Sequence, residues 1–227
     1  MGVSKDMGDY SITIETKSYC LPGSGEGWGS VIDTDISFDE IGLPLFPARR
    51  LKGCLRESAL EILEMLQSAG LKKLNDCVVD RVFGSPGDDE GAKAVFNNLY
   101  IADYEGIAPW LRWGFQEFNG LISPDTVLSA FTCIRQQTSI SQDGIAEDGS
   151  LRTFRVLKPG ITFIGDLTLK EDNPDDLNLI ALACANLRSV GSMRNRGYGR
   201  VKCVLGNVRT GVDLSDKAIE DLKKEAV

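Results

Sequence analysis

Ile161-Thr162-Phe163-Ile164-Gly165-Asp166-Leu167-Thr168-Leu169 alternates apolar and polar residues with a period of two. That period predicts a half-buried strand. The turn Lys158-Pro159-Gly160 leads into it, and Asn173-Pro174 opens a helix after it, since proline suits a helix's first turn. Leu177, Ile180, Leu182, Ala183 and Leu187 are that helix's apolar residues. A glycine-rich basic loop at 191–199, a strand over 200–209 and an amphipathic helix over 213–225 complete this half of the chain. Upstream, YSITIETKSYC at 10–20 alternates like a strand. Leu51, Leu55, Ala59, Ile62, Leu63 and Leu66 form the apolar stripe of a helix, with Gly70 as its stop. A second short helix is expected over 71–83 and a strand over 95–102. Residues 131–140 and 151–157 read as a hairpin around the polar loop 141–150, whereas 31–46 reads as short extended pieces. The aromatic stretch 110–118 fits no single pattern. The glycines at 23, 25, 27 and 29 do not match G-x-G-x-x-G and no helix follows them directly, so 23–30 reads as a flexible loop.

The order strand, helix, strands, helix, strand predicts an α+β, ferredoxin-like (RRM-like) β-α-β-β-α-β domain, an antiparallel sheet with helices on one face. The expected layout is one domain over 1–227. Its core lies at about 9–70, 93–103 and 159–210, with an inserted hairpin region at about 120–158 and a C-terminal helix at 213–225.

Composition narrows the chemistry. The chain has 227 residues and 42% hydrophobic content, enough for a real core. No apolar run approaches the ~20 residues needed to span a bilayer, and the polar start at 1–9 is unlike a signal peptide. Six cysteines at 20, 54, 77, 133, 184 and 203 form no C-x-x-C pair, and histidine is absent. No zinc site of the usual kinds is expected, and scattered single cysteines fit a reduced, cytoplasmic protein. The lack of histidine excludes Ser-His-Asp and Cys-His nucleophiles and histidine-based RNA cleavage. Net charge is −8, but its distribution is uneven. Acidic residues crowd 88–90, 171–176 and 213–225, whereas basic residues crowd 49–56, 152–158 and 188–202. A groove is read by its local field, so the net sum does not exclude nucleic acid.

Two segments stand out. In Gly42-Leu43-Pro44-Leu45-Phe46-Pro47-Ala48-Arg49-Arg50-Leu51-Lys52-Gly53-Cys54-Leu55-Arg56, four cations fall at the start of a helix, where anionic side chains are favoured. A bound phosphate would resolve the oddity. In Gly191-Ser192-Met193-Arg194-Asn195-Arg196-Gly197-Tyr198-Gly199-Arg200-Val201-Lys202, glycines permit close backbone approach, arginines can fork onto phosphates, and Tyr198 can stack on a base. Taken singly, the first reads foremost as a solvated basic helix face, and a basic turn with no ligand is a fair reading of the second.

Together the segments resemble the CRISPR-associated RAMP proteins. The first is similar to that family's "I-P-G-S-S-L-K-G-x-L-R" segment through Pro47, Leu51, Lys52, Gly53, Leu55 and Arg56. The second is similar to its "G-S-x-x-x-R-G-Y-G-K/R-V" loop. Between them, Arg81-Val82-Phe83-Gly84-Ser85 resembles an "L-F-G-S" step, and the stretch from Arg135 through Ile140 to Gly160 resembles the family's thumb. Size and layout are most similar to the backbone subunit of type III effector complexes. The resemblance implies a guide-RNA-binding subunit that meets target RNA, further copies of itself and other effector subunits, away from membranes. It implies RNA contacts at Arg49, Arg50, Lys52, Arg56, Arg135, Gly191, Arg194, Arg196, Gly197, Tyr198, Gly199 and Arg200. One departure is plain: Ala48, Arg49 and Arg50 stand where the family has Gly-Ser-Ser.

Ile32-Asp33-Thr34-Asp35-Ile36-Ser37-Phe38-Asp39 is similar to the "I-D-x-x-V/I-x-x-D" of the same subunits. The resemblance implies metal-dependent cleavage of base-paired target RNA through Asp33, with Mg²⁺ as the divalent metal; Asp35 is a nearby alternative and Asp39 reads as a turn residue. Asp33 reads otherwise as a solvated loop aspartate, which leaves a non-catalytic architectural RNA-binding subunit as the alternative. A guide-processing endonuclease ranks below both, since such enzymes often rely on histidine. An unrelated ferredoxin-like small-molecule regulator leaves the basic clusters unexplained.

Overall fold

The computed structural model describes residues 9–23, 32–71, 74–85, 91–118, 120–141, 144–145 and 147–225. The glycine-rich loop expected over 23–30 and the charge run at 88–90 lie almost wholly outside them. Chain order gives β1 (Tyr10–Thr16), β2 (Leu45–Phe46), α1 (Ala48–Ser68), α2 (Asp76–Phe83), β3 (Ala94–Phe96) and β4 (Leu99–Ile101). There follow α3 (Tyr104–Glu117), α4 (Pro124–Phe131), β5 (Thr132–Gln137), β6 (Arg152–Leu157) and β7 (Thr162–Leu169). The chain then forms α5 (Pro174–Asn186), a short 3-10 turn (Arg194–Arg196), β8 (Val201–Asn207) and α6 (Leu214–Glu225).

The strand predicted at 161–169 is the hub. It pairs with β1 on one side and with β3 and β4 on the other, always antiparallel, and β8 lies beyond β1. The order β2-β4-β7-β1-β8 runs across the sheet. Alternate residues of β7 and β1, including Phe163, Leu167, Ile12 and Ile14, are buried. They meet α1 and α5, which pack on each other. Leu51, Leu55, Ala59 and Leu63 of α1 and Leu179, Ile180 and Ala183 of α5 fill that layer. Ser58 donates a hydrogen bond across it to the Ala183 carbonyl at 2.8 Å. The structure is thus an α+β fold around an antiparallel sheet.

The single strand expected over 95–102 is two short strands. Between the pairs Phe96↔Leu167 and Tyr100↔Ile164, this side advances one residue more than β7. That is a bulge at Asn97-Asn98. Gly165 makes room for it: a Cβ there would stand 2.9 Å from the Asn98 carbonyl oxygen.

Two helices were not anticipated. The aromatic stretch belongs to α3, and α4 occupies the start of the region expected as a hairpin insert at 120–158. The local signal for α4 is present in Ser123-Pro124-Asp125-Thr126. Ser123 and Thr126 form a reciprocal capping box, and Pro124 suits the first turn. The hairpin itself is confined to β5 and β6, a separate two-stranded sheet in register from Thr132↔Leu157 to Gln137↔Arg152. No described helix is long and apolar enough to cross a membrane.

Candidate nucleic-acid interface

Helix α1 begins without a side-chain cap and with no acidic residue in its first turn. Pro47 holds the N-cap position. Ala48 N–H donates to Asn98 Oδ1 at 2.8 Å, while Arg50 and Leu51 N–H both donate to the Pro47 carbonyl. Among the described residues the Arg49 N–H has no partner, so this helix end offers one open donor together with two exposed guanidiniums. Arg49 and Arg50 meet no carboxylate among the described residues.

Opposite stands the loop at 191–199. It is fixed to the segment 19–22 by backbone: Ser192 N–H donates to the Leu21 carbonyl at 2.9 Å and Gly199 N–H to the Tyr19 carbonyl at 2.7 Å. Both anchor glycines have positive φ, +79° each. A Cβ on Gly191 would lie 2.1 Å from the Leu21 carbonyl oxygen, and one on Gly199 2.1 Å from that of Val190. The sequence suggested that these glycines admit a ligand. At 191 and 199 they admit the protein's own backbone, and only Gly197, with nothing within 4 Å, faces open space.

Between helix start and loop runs an open groove of about 750 Å³. Pro47, Arg49, Arg50, Gly53 and Glu57 line it from α1, Gly191, Ser192 and Arg194 from the loop, and Pro22, Gly23 and Thr34 from the remaining chain. Cys54 also reaches it, its thiol pushed up chiefly by burial. The two basic segments, distant in sequence, therefore converge as expected. Not all their cations come along. Arg56 is turned to α2, where it donates to Asp80 at 3.1 Å, and neither Arg56 nor Lys52 lines the groove. Arg194 does, but both its terminal nitrogens donate to Glu57, at 3.1 Å and 3.4 Å, which raises its pKa. Arg196 donates to Gln137 of β5 at 2.6 Å. Arg200 is exposed beyond the loop, its N–H donating to Ser18 Oγ. Glu57 and Thr34 were not foreseen. Glu57 had a signal in its position one turn after Gly53; Thr34 had none.

Tyr198 is half-buried. Its ring lies 6.2 Å edge-on from Phe154 and 6.5 Å from Tyr19, so this aromatic pins the loop to β6. Arg135, on β5, is exposed and lies over the outer side of the same cluster, 4.4 Å from the Tyr19 centroid. The basic cluster at 152–158 is largely occupied. Arg155 pairs with Asp35 at 3.2 Å and lies 5.7 Å from the Phe38 ring centroid, while Lys158 donates to the Ser129 and Ala130 carbonyls near the end of α4.

The three aspartates upstream differ. Asp39 is the turn residue expected: Oδ1 accepts from Ile41 and Leu43 N–H, and Oδ2 from the Tyr104 hydroxyl. That contact and burial push the Tyr104 hydroxyl up to about 12, burial being the larger cause. Asp35 is 1% exposed and committed to Arg155 and the Ile36 N–H. A charge so enclosed holds the fold of this segment and offers no open face to a substrate. Asp33 is bound to the hairpin, with its N–H donating to the Thr153 carbonyl and Oδ2 accepting from the Thr153 N–H at 2.7 Å. Its side chain nevertheless stays 45% exposed, with Oδ1 3.8 Å from Arg152, and its neighbour Thr34 lines the groove. No cluster of three or more metal-ligating side chains occurs among the described residues.

A sequence model described as the RAMP superfamily matches residues 13–202. No curated protein matches the chain. Among solved structures, a chain of type III-B Cmr-beta bound to cognate target RNA, seen by cryo-electron microscopy, is 13% identical with a TM-score of 0.62. That match covers 86% of this chain and 96% of the other. A chain of the apo state of type III-B Cmr-beta is 14% identical with a TM-score of 0.63, covering 89% and 98%. These likenesses concern the fold.

Proposed function

The chain belongs to the RAMP superfamily, and from that premise we propose that it is a guide-RNA-binding backbone subunit of a type III CRISPR ribonucleoprotein effector, holding the RNA backbone in the groove between α1 and the loop at 191–199. The sheet is then the family's ferredoxin-like core, with β1, α1, β3–β4, β7, α5 and β8 as its β-α-β-β-α-β order, and the β5–β6 hairpin is the thumb. One observation carries the reading: Arg49 and Arg50, which meet no carboxylate among the described residues, stand at a helix start without a side-chain cap and face a backbone-built loop across an open groove. Guanidiniums there match phosphate oxygens, and the Arg49 N–H, which has no partner among the described residues, adds a donor at the same helix start. The partners are guide RNA, target RNA, further copies of the chain and other effector subunits.

Cleavage of base-paired target RNA is assigned to Asp33. Its exposed Oδ1 fits a hydrated divalent cation shared with an RNA phosphate, the usual way Mg²⁺ is held when no protein cage exists. Mg²⁺ bound there would stabilise charge on the phosphate during attack by the adjacent 2′-hydroxyl. The chain's part is to hold Asp33 rigidly on β6 through Thr153, so that the carboxylate meets the strand in fixed orientation.

The experiment is target cleavage by the assembled complex with Asp33→Ala, matched target RNA and Mg²⁺. Loss of cutting with retained guide RNA is the expected outcome. Unchanged cutting at every site leaves the architectural reading, which the commitment of Asp33 Oδ2 to Thr153 favours. Co-purification of RNA of discrete length with the chain tests guide binding independently.

A further inference from the structure

The basic cluster at 152–158 has one member that the fold leaves open. Arg155 is closed onto Asp35, and Lys158 is held by two carbonyls near the end of α4. Arg152 differs from both. Its side chain is 65% exposed, and among the described residues Asp33 is the one carboxylate it meets, 3.8 Å from Oδ1. That distance gives attraction without a hydrogen bond, so the guanidinium keeps its donors for another acceptor. Backbone fixes the juxtaposition. Arg152 stands opposite Gln137 at the end of the β5–β6 ladder, and the next residue, Thr153, exchanges two hydrogen bonds with Asp33. The clamp that orients Asp33 therefore sets Arg152 beside it.

The cleavage assigned to Asp33 calls for such a cation. The 2′-oxygen bonds to phosphorus while the bond from phosphorus to the 5′-oxygen breaks. A 2′,3′-cyclic phosphate and a 5′-hydroxyl result; the 2′-hydroxyl proton passes to water, and water returns one to the 5′-oxygen. Negative charge on the non-bridging oxygens rises as the fifth oxygen closes on phosphorus, and fixed donors aimed there lower the barrier. A chain without histidine has lysine and arginine to supply them.

We propose that Arg152 is a catalytic residue of the target-RNA site, leaving Asp33 to fork onto the non-bridging oxygens of the scissile phosphate in the transition state. This rests on the assignment of cleavage to Asp33. An exposed pair of this kind is weak, so a phosphate can take the guanidinium from the carboxylate. The planar fork matches two phosphate oxygens at once, which an ammonium cannot do. Because a guanidinium stays protonated, Arg152 supplies charge and no proton. Its departure also opens Asp33 Oδ1 once the strand is seated.

The assembled complex is compared as Asp33→Ala, Arg152→Ala and Arg152→Lys. Single-turnover cutting of saturating matched target RNA with Mg²⁺ reads the chemical step. Affinity for a target with a 2′-deoxy nucleotide at the cut site, measured with the metal chelated, reads binding alone. R152A should cut on the order of 100-fold more slowly, with affinity within about twofold of the parent. R152K should fall between the two, and added guanidinium should restore part of the R152A rate. An unchanged rate overturns the proposal. A loss confined to affinity also overturns it, making Arg152 a strand contact, as does a loss that guanidinium does not restore, making it a prop for the hairpin. If D33A cuts like the parent, the assignment to Asp33 fails and this inference with it. If D33A is inactive while R152A cuts normally, the inference alone fails.

Discussion

The start of α1 and the loop at 191–199 look alike as sequence, each a knot of cations around glycine, yet they bring different things to the groove. The helix start contributes charge: Arg49 and Arg50 are exposed and meet no carboxylate among the described residues. The loop contributes shape. Its Arg194 is held by Glu57 and its Arg196 by Gln137, while Gly191 and Gly199 let it lie against the carbonyls of Leu21 and Val190. Counting cations in a motif therefore overstates the charge it delivers. What matters is whether the fold has already given each cation a partner.

The largest effect should come from breaking the loop's shape. Gly199→Val places a Cβ about where the Val190 carbonyl oxygen sits, 2.1 Å away, at a φ of +79°. Backbone must move, at a cost of roughly 3 kcal/mol or more. Thermal unfolding should show a marked fall in Tm or loss of soluble protein. Gly197→Ala is the sharpening control, since its φ of +81° is similar but nothing lies within 4 Å. That substitution should cost only about 1–2 kcal/mol, the left-handed backbone penalty alone. Equal Tm losses in the two variants would mean that close approach is not what the loop's glycines provide.

Next in size is the helix start. Arg49→Ala with Arg50→Ala leaves the fold intact, because both side chains are exposed, and should weaken RNA binding roughly 10- to 100-fold near 0.1 M salt. The slope of log affinity against log salt should shallow by roughly 1.4, two phosphate contacts at about 0.7 each for a single strand. A lowered affinity with the slope unchanged would show that the two arginines do not meet phosphates.

Much of this difference was hidden from the sequence, for a physical reason. The strand at 161–169, both core helices and the hairpin were legible because burial imposes periods of two and 3.6 on the residues themselves. The convergence of the two basic segments was legible as motif order. Partner assignment was not. Arg56 and Arg194 look equivalent to Arg49 until the chain brings Asp80 24 residues onward to the one and Glu57 137 residues back to the other. The same holds for Asp33, Asp35 and Asp39, three similar aspartates on one segment. Only folding gives Asp35 to Arg155 and Asp39 to the turn, leaving Asp33 exposed beside the groove wall. Helix α3 was missed because its aromatic run, with Trp110 and Trp113 56% and 49% exposed, does not segregate into an apolar stripe.

Within the loop, Arg194→Ala should weaken RNA binding by about 3- to 10-fold, less than the double variant at the helix start. It removes a cation whose field is already opposed by Glu57, and it leaves that carboxylate facing the groove. Fluorescence anisotropy with a single-stranded RNA reads the difference. An effect as large as that of R49A/R50A would mean that Arg194 leaves Glu57 on binding and joins the phosphate directly.

The smallest effect tests that last point and has the opposite sign. Among the described residues Glu57 is the one acidic residue lining the groove, and it is held by Arg194 in an exposed pair. Such pairs stabilise by only about 0–1 kcal/mol, so phosphate can compete for the guanidinium. Glu57→Gln removes an anion from the strand's path and loosens Arg194 without changing side-chain size. RNA affinity should rise by about 2- to 5-fold, with Tm nearly unchanged. In the background of Arg194→Ala the gain should shrink, because part of it comes through that arginine. A gain of full size there would mean that Glu57 acts on RNA only by repulsion; a loss of affinity would mean that it positions Arg194 for the phosphate, and that the loop's cation is as active as the two on the helix.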